Sequence, residues 1–214
     1  MQYRAVIFDL DGVVCSTDEY HYLAWKSIAD ELGIDFTPQV NNRLRGLSRM
    51  DSLEVLLEGY GGVMTAADKQ YWADRKNNLY IQNLENLSPD DVFPGFLPTL
   101  AHLQHKGIRT AIGSSSKNAR FILARLALAN AFDAVVDGTD ISRAKPAPEV
   151  FVKAAELLAV EPRFCLVVED SQSGLQAAIA AHMDCAAIGD GINYGIATYN
   201  LDTISDLLKI DGLG

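Results

Sequence analysis

Residues 3–12 of this chain read Tyr3-Arg4-Ala5-Val6-Ile7-Phe8-Asp9-Leu10-Asp11-Gly12, and this stretch decides the fold. Its apolar, β-branched first half predicts a buried strand. Because residues i and i+2 of an extended chain point to one side, Asp9 and Asp11 can face a common site where that strand ends. Gly12 then frees the backbone to turn away. Two carboxylates this close repel unless a cation or a proton lies between them, which favours a site over a solvated Asp-rich turn.

The bulk composition is that of an ordinary globular protein. The chain has 214 residues, 49% of them hydrophobic and 21% charged, which suits one domain with an insertion or two small domains. The formal charge of −10 argues against nucleic acid or an anionic membrane as a partner. A small anionic substrate stays compatible with it, because local cations can reverse the field inside one cleft.

The cysteines and the start of the chain bear on location. Cys15, Cys165 and Cys185 have no CxxC or metal-ligand spacing, and we expect Cys165 and Cys185 to be reduced, buried residues in strands. The sequence has no basic segment followed by an apolar signal region, and no apolar run long enough to span a bilayer. We therefore expect a cytoplasmic protein. Since no exposed apolar stripe is evident, we also expect a monomer.

From Arg109 onward, short apolar runs alternate with segments of helical period. Strands are predicted over residues 109–113, 134–136, 164–168 and 185–188, and helices over residues 118–128, 148–158 and 174–181. This alternation predicts an α/β fold, a Rossmann-like parallel sheet with helices on both faces. Ligands of such sheets bind beyond the carboxyl ends of the strands.

A purely helical segment interrupts this pattern after the first strand. Residues 19–32, 49–57 and 66–84 all have helical period, and no convincing strand lies between them. Phe93-Pro94-Gly95 marks the return to the core. We therefore predict an α/β core made of residues 1–16 and 92–214, and an inserted α-helical cap made of residues 17–91.

Polar residues also follow the later strands. Ser114-Ser115-Ser116-Lys117-Asn118 comes after the second core strand and could cradle a phosphate ahead of a helix, Lys145 lies in a proline-stiffened loop, and Glu169-Asp170 follows residues 164–168. Each has an ordinary explanation by itself: an N-cap serine, a solvated lysine or a capping acid. Their occurrence in this order at successive strand ends favours one shared site.

These four stretches resemble the haloacid dehalogenase superfamily of aspartate-based phosphotransferases, over essentially the whole chain. The motifs of that superfamily are DxDG, a Ser or Thr at the end of the second core strand, a Lys, and an acidic pair. They correspond here to Asp9-Leu10-Asp11-Gly12, Ser114, Lys145 and Glu169-Asp170. A helical insert directly after the first motif is similar to the small cap of that superfamily.

The resemblance implies a role for each motif. Asp9 would be the nucleophile that becomes an aspartyl-phosphate, and Asp11 the general acid and base. One Mg²⁺ per subunit would be held by the Asp9 carboxylate, the Asp11 main-chain carbonyl and Asp170, with Glu169 binding it directly or through another ligand. Ser114 and Lys145 would bind the transferring phosphoryl group.

Within the superfamily, further residues look like those of sugar-phosphate mutases. Thr17 and His21 would belong to the hinge and help to position Asp11. The candidate substrate-binding residues are Thr17, His21, Trp25, Gly46, Leu47, Ser48, Arg49, Lys76, Ser115, Ser116, Lys117 and Asn118. Of these, Arg49, Ser116 and Asn118 would take the phosphate that is not transferred, whereas Trp25, Lys76 and the turn at Gly46 would face the sugar. Taken singly, Trp25 could equally be a packing residue and Arg49 a solvated one.

A second anion site favours a mutase, because a mutase binds a bisphosphate in two orientations. The expected reaction interconverts β-D-glucose 1-phosphate and glucose 6-phosphate, with glucose 1,6-bisphosphate as the priming intermediate. The main alternative is a sugar-phosphate phosphatase that uses the same Asp9 chemistry. A phosphate-accepting signalling receiver domain does not suit the length, the helical insert or Asp11, and a silent binding protein would normally have lost an acid or the lysine.

Overall fold

The computed structural model describes residues 3–44 and 47–214. The chain divides into two compact units, one made of Met1–Ser16 and Ser88–Gly214 and the other of Thr17–Leu87. We call the first the core unit and the second the helical unit. The sequence-based boundary at the exit, residue 92, falls close to the start of the second core segment at Ser88.

The core unit is built on one sheet in which all neighbouring strands are parallel. The strands are β1 (Ala5–Phe8), β2 (Arg109–Gly113), β3 (Ala134–Val136), β4 (Cys165–Glu169), β5 (Asp184–Ile188) and β6 (Tyr199–Leu201). Their spatial order is β3-β2-β1-β4-β5-β6, so the first strand of the chain lies in the middle of the sheet. The predicted parallel α/β sheet is confirmed.

The helices differ from the sequence-based expectation in only a few places. They are α1 (Asp18–Leu32), α2 (Pro38–Leu44), α3 (Arg49–Leu57), α4 (Ala66–Leu84), α5 (Phe96–His105), α6 (Ala119–Arg125), α7 (Glu149–Leu158) and α8 (Gln172–Ala180). Helices α3 and α4 have the predicted bounds. The structure adds α2, α5 and the edge strand β6, which the periodicity does not predict.

Helices cover both faces of the sheet because successive strand residues point in opposite directions. Ile7 packs in one apolar cluster with Phe151 of α7 and Leu175 of α8. Phe8, the next residue, points to the other face, where its ring centroid lies 5.2 Å from that of Phe96 on α5. The strands are thus buried on both sides, as parallel strands generally are.

The helical unit has an apolar core of its own, in which Trp25 and Ile28 of α1 pack in one cluster with Leu53 of α3 and Ala73 of α4. A capping box begins α4, because the Thr65 side chain accepts a hydrogen bond from the Asp68 amide and Asp68 accepts one from the Thr65 amide.

The described residues also bear on two expectations about the environment of the protein. Among them, no helix is long and apolar enough to cross a membrane. Cys15, Cys165 and Cys185 are all buried and free of disulfide bonds, as expected for Cys165 and Cys185.

Candidate active site

The candidate site lies at the carboxyl edge of the sheet, where the two central strands end. Asp9 directly follows β1, and its amide donates a hydrogen bond of 2.9 Å to the Val168 carbonyl of β4. Glu169 is the last residue of β4, and Asp170 follows it. Because β1 and β4 are neighbours in register, their carboxyl ends bring these acids together from opposite ends of the sequence.

A buried lysine links the acids. The Lys145 Nζ atom lies 2.5 Å from Asp9 Oδ1 and 2.5 Å from Glu169 Oε1, and all three side chains are largely buried. Burial by itself acts to lower the pKa of Lys145, but the Asp9 and Glu169 charges outweigh it and raise the pKa above its usual range. Lys145 is therefore a permanent cation in this site.

The cluster still has more negative than positive charge. Burial and the neighbouring carboxylates raise the pKa of Asp9 to about 7, although Lys145 opposes the shift. Burial and the charges of Asp9, Glu169 and Asp11 raise the pKa of Asp170 to about 8. Side-chain oxygens of Asp9, Glu169 and Asp170 lie within 4.8 Å of one another. An all-oxygen, electron-rich donor set of this kind fits a hard divalent cation such as Mg²⁺.

Two glycines leave room for the acids. A Cβ atom on Gly12 would lie 2.0 Å from Asp170 Oδ2, and Gly12 has a φ of +84° that side-chain-bearing residues rarely adopt. A Cβ atom on Gly174 would lie 1.8 Å from Glu169 Oε1. Glu169 is fixed further by Ser171, whose amide and hydroxyl each donate a 2.9 Å hydrogen bond to Glu169 Oε2. Ser171, and not Asp170, is the N-cap residue of α8.

Asp11 lies in the turn that leaves β1 and is half-buried. A backbone bridge links Asp11 and Cys15, and the Gly12 amide donates a 2.7 Å hydrogen bond to the Cys15 carbonyl. The side-chain oxygens that lie within 4.8 Å of one another belong to Asp9, Glu169 and Asp170, and the charge of Asp11 contributes to the raised pKa values of Asp9 and Asp170. This position suits the expected proton-transfer role better than metal binding by its side chain.

The serine-rich loop after β2 is held by its own hydroxyls. Ser114 is buried, and its Oγ atom accepts a 3.1 Å hydrogen bond from the Ser116 amide. Ser116 Oγ in turn accepts one of 3.2 Å from the Asn118 amide, and Ser115 Oγ accepts one of 3.3 Å from the Lys145 amide. This last bond joins the serine-rich loop to the lysine loop. The Lys117 side chain is exposed.

A second buried lysine lies in the helical unit. Lys76 Nζ lies 2.7 Å from His21 Nδ1, and 4.6 Å and 5.1 Å from the ring centroids of Tyr80 and Trp25. Burial, and after it the Arg49 guanidinium, lowers the pKa of Lys76 to about 7. Burial also lowers the pKa of His21 to about 3, with a further contribution from Lys76, so that His21 is neutral near pH 7.

The remaining predicted residues of the helical unit lie around α3. Arg49 begins α3, is partly exposed, and donates a 2.8 Å hydrogen bond to Asn77 Oδ1. Ser48 is the N-cap residue of this helix, and Leu47 is exposed. Gly46 lies outside the described residues.

Two contributions were missed by the sequence reasoning. Tyr80 stacks on His21 at 4.0 Å between ring centroids and donates a 3.0 Å hydrogen bond to the buried Thr17 hydroxyl. Its place four residues after Lys76 on one helix was the available signal. Gly191 packs against the backbone of Glu169 and Asp170, so the glycine-rich turn after β5 supports the acidic pair.

Comparisons with known proteins identify the family of this chain. A family model for haloacid dehalogenase-like hydrolases matches residues 3–182. A β-phosphoglucomutase of Bacillus subtilis is 43% identical over 191 residues, which cover 88% of this chain and 84% of that protein. The fructose-1-phosphate phosphatase YqaB of Escherichia coli is 30% identical over 87% of this chain and 97% of its own length.

A solved structure gives the same result for the fold. The crystal structure of a β-phosphoglucomutase (pgmB) from Clostridium difficile is 34% identical and has a TM-score of 0.87, covering 96% of this chain and 93% of that chain. The resemblance indicated by the four sequence motifs is thus confirmed: this chain belongs to the haloacid dehalogenase-like hydrolase family.

Proposed function

We propose that this protein is a β-phosphoglucomutase that interconverts β-D-glucose 1-phosphate and glucose 6-phosphate. The observation that carries the proposal is the buried cluster of Asp9, Lys145, Glu169 and Asp170 at the end of the central strands, in a chain 43% identical to a β-phosphoglucomutase. The cluster supports phosphoryl transfer to Asp9, and the relatives favour a mutase among the family's activities.

The first half-reaction starts with Asp9 phosphorylated. The O6 hydroxyl of β-glucose 1-phosphate attacks the phosphorus atom, Asp11 takes the hydroxyl proton, and the bond between phosphorus and the Asp9 oxygen breaks. The product is β-glucose 1,6-bisphosphate. Lys145 and Ser114 bind the oxygens of the transferring group, and the permanent charge on Lys145 offsets the negative charge that gathers there.

In the second half-reaction, β-glucose 1,6-bisphosphate has reoriented so that its C1 phosphate faces Asp9. The Asp9 carboxylate attacks the phosphorus atom of the C1 phosphate, and Asp11 returns its proton to the O1 atom as the bond between O1 and phosphorus breaks. Glucose 6-phosphate leaves, and Asp9 carries the phosphoryl group again. Glucose 1,6-bisphosphate primes the cycle, because it phosphorylates an Asp9 that has lost its group to water.

The acidic cluster fits Mg²⁺. The Asp9 carboxylate, the Asp11 main-chain carbonyl and Asp170 would hold the ion, with Glu169 binding it directly or through another ligand. When bound, Mg²⁺ neutralises the repulsion between the attacking carboxylate and the phosphate. Asp9 and Asp170, whose pKa values are raised in the cluster, become stable as carboxylates in the presence of such a cation.

A bisphosphate also needs groups for the phosphate that is not being transferred. Each unit by itself offers candidates for this part: Arg49 in the helical unit, and Ser116, Lys117 and Asn118 in the core unit. Trp25 and Lys76 of the helical unit are proposed to face the sugar. The half-exposed Arg49 guanidinium, held by Asn77, supports this assignment because it can still offer donors to an anion.

The test is a ³¹P NMR time course with Mg²⁺, β-glucose 1-phosphate and a trace of glucose 1,6-bisphosphate. We expect glucose 6-phosphate to grow from the β anomer, little free phosphate, and no reaction of the α anomer. Asp9→Asn is the matched variant, and we expect it to form no phospho-enzyme and to lose turnover by at least about 10⁴-fold.

Free phosphate as the main product would overturn the mutase proposal in favour of a sugar-phosphate phosphatase, the activity named for the Escherichia coli relative. Turnover retained by Asp9→Asn would overturn the Asp9 chemistry as a whole.

A further inference from the structure

The loop that presents Lys145 is closed at its base by one carboxylate. Glu149, the first residue of α7, folds back along the chain. Glu149 Oε1 accepts a 3.0 Å hydrogen bond from the Ser142 amide. Glu149 Oε2 accepts one of 2.8 Å from the Ser142 hydroxyl and one of 2.9 Å from the Arg143 amide. Residues 142–149 therefore form a closed loop.

Lys145 lies at the tip of that loop. Its amide donates to Ser115 Oγ of the serine-rich loop, and a turn follows in which the Ala147 amide donates 3.0 Å to the Ala144 carbonyl. Its ammonium group makes two 2.5 Å contacts with acids on the central strands. The position of the ammonium group depends on the placement of this loop. A group that binds a reacting phosphoryl must be held within about half an ångström, so the loop itself must be fixed.

We infer that Glu149 is a positioning residue for Lys145: it fixes the base of the lysine loop and so sets the place of the ammonium group against the transferring phosphoryl. This inference deepens the proposed function and rests on it only for the use of Lys145 in phosphoryl transfer. The backbone and hydroxyl hydrogen bonds from Ser142, followed by Lys153, lower the pKa of Glu149 to about 2, so Glu149 stays ionised in any ordinary assay.

Two simpler roles for Glu149 predict different results. Glu149 Oε1 lies 3.1 Å from Lys153 Nζ as an i,i+4 ion pair, and an acid in the first turn of a helix also stabilises that helix. Either role would affect the stability of α7 without affecting the binding of a phosphoryl group. Lys153→Met removes the ion pair together with the hydrogen bond from Lys153 Nζ to the Asp140 carbonyl, and leaves the acceptors of the loop in place.

The experiment measures binding of orthovanadate, an analogue of the transferring phosphoryl group, in the presence of Mg²⁺ at a temperature well below the thermal midpoint. We expect Glu149→Ala to raise the Kd by about tenfold and to lower kcat by a similar factor, since a small misplacement of a binding group has effects of this size. We expect Lys153→Met and Glu156→Ala to leave the Kd within about twofold of the wild type. Glu156 is an exposed acid two turns further along α7.

A wild-type Kd and kcat in Glu149→Ala, even with a lowered thermal midpoint, would overturn the inference, and so would an equal effect of Lys153→Met. If Glu149→Ala does not fold, Glu149→Gln replaces it. This variant keeps an acceptor oxygen without the charge, and we expect a Kd about fivefold above the wild type, because hydrogen bonds to a charged acceptor are the stronger ones. An unchanged Kd in Glu149→Gln would then overturn the inference. A wild type that releases free phosphate would refute the mutase proposal and leave this test readable, because both activities use Lys145.

Discussion

The two units of this protein each bury a lysine, and the two lysines have opposite surroundings. Lys145 of the core unit contacts the Asp9 and Glu169 carboxylates at 2.5 Å, and its pKa is raised. Lys76 of the helical unit contacts the neutral His21 ring and the faces of aromatic side chains, and its pKa is lowered to about 7.

The difference shows that burial alone does not decide the charge of a lysine. In the core unit, two carboxylates outweigh desolvation and keep Lys145 charged. In the helical unit, aromatic faces and a neutral imidazole leave desolvation dominant, so Lys76 is close to balance between its two forms at neutral pH. An anionic ligand beside Lys76 would favour its charged form, whereas Lys145 is charged before any ligand arrives.

Replacement of each lysine by methionine tests the comparison most directly. We expect the largest change in the free energy of unfolding for the lysine of the core unit. We expect Lys145→Met, at pH 8 with EDTA, to lower the free energy of unfolding by about 3–5 kcal/mol, because it leaves buried carboxylates without their cation. Added Mg²⁺ should restore part of the loss, since a cation that binds only the folded state stabilises it. The measurement is urea unfolding followed by far-UV circular dichroism.

Lys153→Met is the matched control in the core unit, because the Lys153 side chain is exposed and pairs with Glu149 on the surface. We expect it to change stability by less than about 0.5 kcal/mol. A loss below about 1 kcal/mol for Lys145→Met would show that the carboxylates do not depend on Lys145.

The same substitution in the helical unit should have the opposite sign. One unit of pKa shift corresponds to about 1.4 kcal/mol, so the fall in the pKa of Lys76 from its usual 10.5 to about 7 corresponds to about 5 kcal/mol. Lys76→Met also gives up the contacts of the ammonium group with His21 and the aromatic rings, so we expect it to stabilise the protein by about 2–4 kcal/mol below pH 7. There Lys76 is protonated in both the folded and the unfolded states, and the wild type bears the full cost of the buried charge.

Between pH 7 and about 10.5 only the unfolded state holds the proton on Lys76, so the stability of the wild type rises with pH and the advantage of Lys76→Met shrinks to nothing. Both tryptophans, Trp25 and Trp72, belong to the helical unit, so urea midpoints followed by tryptophan fluorescence report on this unit. Lys69→Met is the control on the same helix, because Lys69 pairs with Glu54 at 2.7 Å and lies outside the aromatic surroundings of Lys76. Destabilisation by Lys76→Met at pH 6 would contradict the comparison.

Tyr80→Phe tests the surroundings of Lys76, and we expect it to have the smallest effect on stability of the three variants. The variant keeps the ring that stacks on His21 and removes the hydroxyl that donates to Thr17. We expect a loss of about 1 kcal/mol, the usual value of one buried hydrogen bond, again by tryptophan fluorescence. Tyr71→Phe on the exposed side of α4 should change nothing measurable. A loss of more than about 3 kcal/mol in the free energy of unfolding would mean that the hydroxyl, and not the aromatic packing, determines the structure around Lys76.

The sequence predicted most of the core unit because its strands and helices repeat with clear periods. Strands β2 and β3 have the predicted bounds. The missed elements lack such a signal. Helix α2 has seven residues and β6 has three, which is too few for a period to appear. Helix α5 contains Pro98 in its first turn, where proline is tolerated, although a proline in a sequence usually indicates the end of a helix.

The site was predictable where its residues follow strands and unpredictable where side chains meet across the sequence. Asp9 and Glu169 were placed correctly because each stands at the carboxyl end of a strand that the sequence predicts. The return of Glu149 to the Ser142 amide, or the donation from Tyr80 to Thr17, has no repeating pattern in the chain. The roles of the predicted substrate-binding residues stay predictions, as do the monomeric state and the cytoplasmic location.

The place of β1 in the middle of the sheet has a consequence for the order of folding. β1 leaves the ribosome before the other described strands, and its partners are Arg109–Gly113 and Cys165–Glu169. A chain still being synthesised therefore holds its central strand without neighbours while the whole helical unit appears. The helical unit, with its contacts close in sequence, can form early, whereas the sheet must wait for distant pairing, which is slow. The strand that leads into Asp9 is thus made before its neighbours, and its pairing is completed only after residue 169 has emerged.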